Sequence, residues 1–276
     1  MASTASITKI SARATGGRPL PAGAPRVSVV VPTLNEARNL PHAFHNLPTD
    51  LHEVILVDGR STDDTVAVAR ALRPDVKVVR ELAKGKGAAL RAGFDAATGD
   101  IIVMFDADGS ADGAEIDTYV QALLDGADFA KGSRFMAGAG SADITPMRRA
   151  GNWVLCKIVN GWFGSDYSDL CYGYNAFWQH CLPVIDVDCA GFEVETLINI
   201  RLAESPMLVV EVPSFEYDRL HGESNLHVVR DGLRVLRTIL REGLGRMRRR
   251  PQPQHVAEPV QLAVPVPSAE HDSIAA

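Results

Sequence analysis

The chain has no run of the ~18–20 unbroken apolar residues that a membrane-spanning helix needs. Its amino terminus lacks the apolar central stretch of a secretory leader. Cysteine is scarce: Cys156, Cys171, Cys181 and Cys189 show no CxxC spacing and no histidine at ligand spacing. That excludes a zinc ribbon or a disulfide scaffold, and it fits reduced thiols in a cytoplasmic protein. An excess of basic charge is missing too; the net charge of −6 argues against general nucleic-acid binding. No internal repeat is visible. What remains is a chain of 276 residues with 46% hydrophobic content, long enough to bury a sizeable core.

Residues 1–25 are rich in Ser, Ala, Thr, Gly and Pro without hydrophobic periodicity, and 251–276 carry five prolines; both read as disordered tails. The folded part is then 27–248. Short apolar runs at 27–31, 53–57, 76–79 and 101–105 read as buried strands. Between them lie helical patterns: one with Leu40, Phe44 and Leu47, one opened by Ser61, Thr62, Asp63 and Asp64, and one carrying Leu90 and Phe94. The order β-α-β-α-β-α-β predicts an α/β fold, a mostly parallel central sheet with helices on both faces. A helix at 115–124 and strands at 128–135 and 209–213 extend it.

The strand at 101–105 ejects Asp106 and Asp108, one residue apart, at its carboxyl end. Ligands bind at that end of an open α/β sheet. Two hard oxygen ligands so close suit Mg²⁺ or Mn²⁺ held against phosphates; the competing reading is an Asp-rich turn with Asp108-Gly109 as its central pair. Loops after two other strands, from Pro32 to Glu36 and at Asp58, share the same edge, so the acids converge. Lys84 and Lys86 flank a helix start and would attract phosphate, or else form a solvated basic turn with close-packing glycines. Arg134, ending the strand 128–135, would offset phosphate charge or make a surface ion pair.

The helix at 148–163 has a large apolar face, with Trp153, Ile158, Val159, Trp162 and Phe163 as core or as lipid contacts. Segment 168–178 combines Asp169, aromatics and Gly173, and Glu193 and Glu195 stand at a helix start, where capping is their competing role. The last helix, 226–250, carries Leu226, Val229, Leu233, Leu236, Leu240, Leu244 and Met247, edged by arginines. Such a helix is either interfacial, drawn to anionic lipid, or docked with a solvated face.

The string VSVVVPTLNE, ILVDGRSTDDT, GKGAALRAGFDAATGDIIVMFDAD, KGSRF, CYGYNAF, GFEVE and HGESN, in that order over about 27–240, resembles family 2 glycosyltransferases, most of all the polyprenyl- or dolichyl-phosphate mannosyl- and glucosyltransferases. The resemblance implies a single nucleotide-diphospho-sugar transferase domain of GT-A type. It implies that Pro32, Leu34 and Glu36 line the nucleotide pocket and that Asp58 contacts the base or ribose. Asp106 and Asp108, with Ala107 and Ser110 alongside, would hold the metal, and Arg134, Arg148 and Arg219 would contact phosphate. The donor would be a nucleoside-diphosphate sugar of GDP-mannose or UDP-glucose type. Three departures stand out: Gly59 follows Asp58 where the family reads VDDGSTD, Asn225 ends G-E-S-N where a lysine is usual, and Asn175 with Trp178-Gln179 replaces basic residues.

The expected chemistry is displacement at the anomeric carbon, with charge developing on the leaving diphosphate. A polyprenyl phosphate acceptor is already an anion and needs no base. A hydroxylated metabolite would need one, and Asp169, Glu193 and Glu195 are the candidates; Asp108, as a metal ligand, counts with them among the catalytic residues. The open alternatives are a soluble transferase for small acceptors and a silent nucleotide-sugar binding module. A cytoplasmic place, with or without peripheral contact to an anionic inner membrane face, fits all of them.

Overall fold

The computed structural model describes residues 8–9, 23–222 and 227–248. Its strands are β1 (Thr8–Lys9), β2 (Val27–Thr33), β3 (Glu53–Asp58), β4 (Lys77–Arg80), β5 (Ile101–Met104), β6 (Phe129–Ser133), β7 (Gly140–Ser141), β8 (Asn175–Trp178), β9 (Val209–Pro213) and β10 (Phe215–Glu216). Its helices are α1 (Leu40–Ala43), α2 (Thr65–Leu72), α3 (Lys86–Ala96), α4 (Ile116–Leu124), α5 (Pro146–Phe163), α6 (Leu182–Ile185), α7 (Val194–Ala203) and α8 (Val228–Arg248). Among the described residues the main sheet runs β1-β9-β6-β8-β5-β2-β3-β4, and β7 pairs with β10 beside it.

The strands sort their side chains by alternation. Val29 and Val31 of β2, with Ile101 and Val103 of β5, join Leu40, Ala69, Ile116 and Leu123 in one core layer. Val30, Ile102 and Met104 point the other way, toward Leu90, Phe94, Val159, Ile198 and Ile239. Helices therefore cover both faces. Pairing β2–β3, β2–β5, β3–β4 and β6–β9 is parallel. The chain steps from β2 outward to β3 and β4, then returns to the other side of β2 as β5. That reversal parts the loops after β2 and β5 and opens a crevice at their carboxyl ends.

Four local expectations change. The helix carrying Leu40, Phe44 and Leu47 is a single turn, Leu40–Ala43, and the chain continues through turns at 44–46; all three side chains are still buried. Strand β2 runs through Pro32 to Thr33. Val30 turns its carbonyl toward β5, so Pro32, two residues on, would turn its absent N–H the same way, beyond the last β2–β5 pair, Val30 with Met104. Asn175–Trp178 is a strand, inserted antiparallel between β5 and β6. Thr8–Lys9, expected within a disordered tail, pairs with β9 at the sheet edge; the remainder of residues 1–22 and the tail from 249 onward lie outside the described residues.

Helix α8 docks through a different stripe from the one its sequence advertises. Asp231, Val235, Thr238 and Ile239 are buried, whereas Val229, Leu233, Leu240 and Leu244 are exposed. Gly243 lets the Trp162 ring close on the helix, where a Cβ would collide with it. Leu226 and the Met247 side chain lie outside the described residues. On α5, Val159 and Phe163 are core, but Trp153 is 61% exposed beneath the Lys157 ammonium. No helix among the described residues is long and apolar enough to cross a membrane, and Cys156, Cys171 and Cys189 are free thiols.

Candidate functional site

A cavity of about 1270 Å³ occupies the crevice. Its walls come from the loops after β2, β3, β4 and β5, the start of α7, and the facing sides of α5 and α8.

Asp106 and Asp108 reach this cavity from the end of β5, and each already faces a cation. Lys86 Nζ lies 2.7 Å from Asp106 Oδ1 and 2.8 Å from Glu195 Oε1. Burial pulls the Lys86 ammonium down, but the two carboxylates outweigh it and hold it above its ordinary value. Burial lifts the Glu195 carboxyl above its usual range, against the pull of Lys86. Arg219 bridges Glu36 and Asp108, at 3.1 Å to each. Glu36 is lifted by burial, partly offset by Asn39 and Arg219. Asp108 Oδ1 accepts from the backbone N–H and hydroxyl of Ser110, and Tyr217 N–H donates to the Ser110 carbonyl, tying the Arg219 segment to the aspartate loop.

Gly173 is the packing condition for this arrangement. A Cβ there would stand 2.6 Å from Lys86 Nζ, 2.8 Å from Asp106 Oδ2 and 3.2 Å from Glu195 Oε1. In the sequence, a glycine flanked by tyrosines carries no signal of the charges it admits.

Several expected roles change with the geometry. Arg134 is buried between Asp169, at 2.7 Å, and Glu216, at 3.0 Å, and its guanidinium lies over the Tyr172 ring. It borders the cavity, but its fork is taken by carboxylates rather than left open for phosphate. Asp169 is fully buried with both oxygens on Arg134, which makes it an anchor and not a base. Burial raises its carboxyl, and Arg134 more than reverses that, so it stays below the ordinary range. Asp58 is buried and accepts from Ser61 N–H; it holds the turn, and its neighbours Gly59 and Arg60 line the cavity instead. At the start of α3 the Gly87 and Ala88 N–H groups donate to the Ala190 carbonyl, while Lys84, Gly85 and Lys86 line the cavity. The close-packing reading of its glycines is the one observed: a Cβ on Gly85 or Gly87 would collide with backbone carbonyls at 189–190.

The other residues expected in the pocket do border it. Pro32, Leu34, Ala107 and Ser110 line it, as does Arg148, which pairs with Asp143 at 2.7 Å. Glu193 accepts from Gly191 N–H through one oxygen, while its Oε2 is buried without a partner. In the polar loop HGESN, residues 223–225 lie outside the described residues.

The donor set suits a hard divalent cation that completes its shell elsewhere. Asp106 and Asp108 keep 32% and 20% of their side-chain surface open. Among the described residues no third carboxylate, histidine or cysteine joins them at ligand spacing. Mg²⁺ is commonly held this way, by one or two carboxylates plus phosphate oxygens and water.

A sequence model of the family described as "Glycosyl transferase family 2" matches residues 28–195. The polyprenol monophosphomannose synthase of Mycolicibacterium smegmatis is 35% identical over 219 residues, 73% of this chain and 81% of that protein. The dolichol-phosphate mannosyltransferase of Pyrococcus furiosus is 32% identical over 73% of this chain, which spans 59% of that protein's length. A crystal structure of glucosyl-3-phosphoglycerate synthase from Mycobacterium tuberculosis, in complex with Mn²⁺, UDP and phosphoglyceric acid, has the same fold: TM-score 0.63, 20% identity, covering 79% of this chain and 78% of that one.

Proposed function

Because the chain belongs to glycosyl transferase family 2, we propose that it moves a hexose from a nucleoside-diphosphate sugar, of GDP-mannose or UDP-glucose type, to a polyprenyl phosphate. The observation that carries this reading is the pair Asp106 and Asp108 at the mouth of the crevice, with Lys86 and Arg219 beside them. These two carboxylates, with Ser110, would hold Mg²⁺ or Mn²⁺. When bound, that cation supplies positive charge for the departing diphosphate. Arg219 adds a fixed guanidinium to the same region, and Glu36 keeps it oriented.

An acceptor that arrives as an anion suits the rest of the cavity. Of the three candidate bases, Asp169 and Glu195 are tied into ion pairs. Met147 of α5 borders the cavity and is 63% exposed, and the arginine-edged outer stripe of α8 is apolar and exposed. These surfaces support approach of a lipid chain and contact with an anionic bilayer, at about 1 kcal/mol per basic residue. The relatives named for dolichol-phosphate and polyprenol-phosphate products support the same acceptor.

The test is a panel of radiolabelled sugar nucleotides incubated with the protein and polyprenyl phosphate, with and without Mg²⁺ or Mn²⁺. Label entering the organic phase only with metal is the expected result. Label confined to water-soluble acceptors, with no flotation on anionic vesicles, would replace the lipid by a small metabolite. Binding without turnover on any acceptor would leave a silent module. In the same assay, Gly173→Ala is expected to lower kcat about 100-fold, because displacing charged groups by about 1 Å costs that much. An unchanged kcat would show that the Lys86–Asp106–Glu195 geometry is irrelevant to transfer.

A further inference from the structure

Arg60 is held at φ +70°, in the left-handed region that side chains other than glycine, asparagine and aspartate rarely adopt. The turn around it is clamped on both sides. Gly59 N–H donates to the Thr33 carbonyl, Ser61 N–H to Asp58 Oδ1, Asn35 N–H to Ser61 Oγ, and Thr62 N–H to Asn35 Oδ1. Such strain persists where the surroundings over-determine it, and it concentrates at functional sites. Arg60 also has the charge to matter. Lys86, Arg134, Arg148, Arg219, Arg230 and Arg234 all border the cavity and all pair with a carboxylate. Among the described cavity-lining cations, Arg60 and Lys84 have no ion pair.

The position of these two free cations follows from the sheet. The order β5-β2-β3-β4 puts Arg60 after β3 and Lys84 after β4. Arg60 is therefore two strand spacings, about 10 Å, along the edge from the aspartates after β5. That is the reach from a diphosphate to its nucleobase. Leu34, 44% exposed and next to Gly59, supplies an apolar surface there.

We propose that Arg60 is a donor-specificity residue whose guanidinium reads the carbonyl oxygens of the donor's nucleobase. The proposal rests on the sugar-nucleotide reading above and names the base class: keto bases, guanine or uracil, over adenine or cytosine. A guanidinium only donates, and its fork matches O6 and N7 of guanine or O4 of uracil. Adenine and cytosine present an amino group at the equivalent place.

The experiment measures binding of GDP, UDP, ADP and CDP, each with Mg²⁺, to the full chain and to Arg60→Asn and Arg60→Lys. Asparagine tolerates the left-handed backbone and lacks the charge, so the melting temperature of Arg60→Asn is expected to equal or exceed the parent's. Its Kd for the preferred keto nucleotide is expected to rise about tenfold, with ADP and CDP changed less than twofold. Arg60→Lys, which keeps the charge without the fork, is expected to fall between. An equal loss for all four nucleotides, an unchanged preference, or a marked drop in melting temperature would each overturn the assignment. A parent protein that binds none of the four would overturn the sugar-transfer reading as well, which separates the two failures.

Discussion

Asp108→Ala is expected to lower sugar transfer by a factor of about 10²–10³, the loss typical when one preorganised charge is removed from a transition state. The fold should survive. Arg219 loses Asp108 but keeps Glu36. The turn loses the acceptor for Ser110, worth about 1 kcal/mol. Asp108→Asn separates the two effects, because the amide oxygen still accepts from Ser110 while the charge is gone. It should melt close to the parent, losing the Oδ2 pair with Arg219 but keeping the Ser110 bonds, and be as inactive as the alanine variant. Initial rates over a Mn²⁺ titration, with Mn²⁺ binding followed by electron paramagnetic resonance, test this directly. An asparagine variant with parental turnover would end the reading of Asp106 and Asp108 as the site that neutralises a diphosphate.

Lys86→Met is expected to destabilise the protein by about 3–5 kcal/mol, the usual result of stripping the partner from a buried charge. The methionine fills similar space, but Glu195, with only 4% of its side chain exposed, is left without a cation. Burial already holds this carboxyl above its ordinary range, and loss of the ammonium lifts it further. A carboxyl whose folded pKa exceeds its unfolded value binds more protons in the native state, so its contribution is present at low pH and is lost as pH rises through the folded pKa. The deficit of the variant should therefore be largest at pH 8 and shrink toward pH 5. Lys86 in the parent is raised, so its contribution persists at every pH below its ordinary value. Urea midpoints at the two pH values measure this, and adding Glu195→Gln should restore much of the loss. A deficit that does not vary with pH would mean that Glu195 stays charged without its partner.

The strands β2, β3 and β5 were legible because burial on both faces writes itself as continuous apolar runs. The aspartate pair was legible because it follows one of those runs directly. The antiparallel strand Asn175–Trp178 was not, since four mixed residues after a polar, aromatic segment have no period to detect. Helix α8 shows why amphipathicity alone misleads. It has a broad leucine stripe and a narrower one, and the narrower one docks, with Val235, Thr238 and Ile239 buried and Gly243 admitting the Trp162 ring.

The amino-acid sequence by itself determined the α/β class, the edge on which polar groups gather, and the family, because these depend on local periodicity and on motifs read within a few residues. Only the folded chain decided which charges meet. Lys86 finds Glu195, Arg134 finds Asp169 and Glu216, and Arg219 finds Asp108, each across long stretches of sequence. Whether a carboxylate is a base, an anchor or a ligand depends on the cation and solvent around it, and those neighbours are chosen by packing in three dimensions.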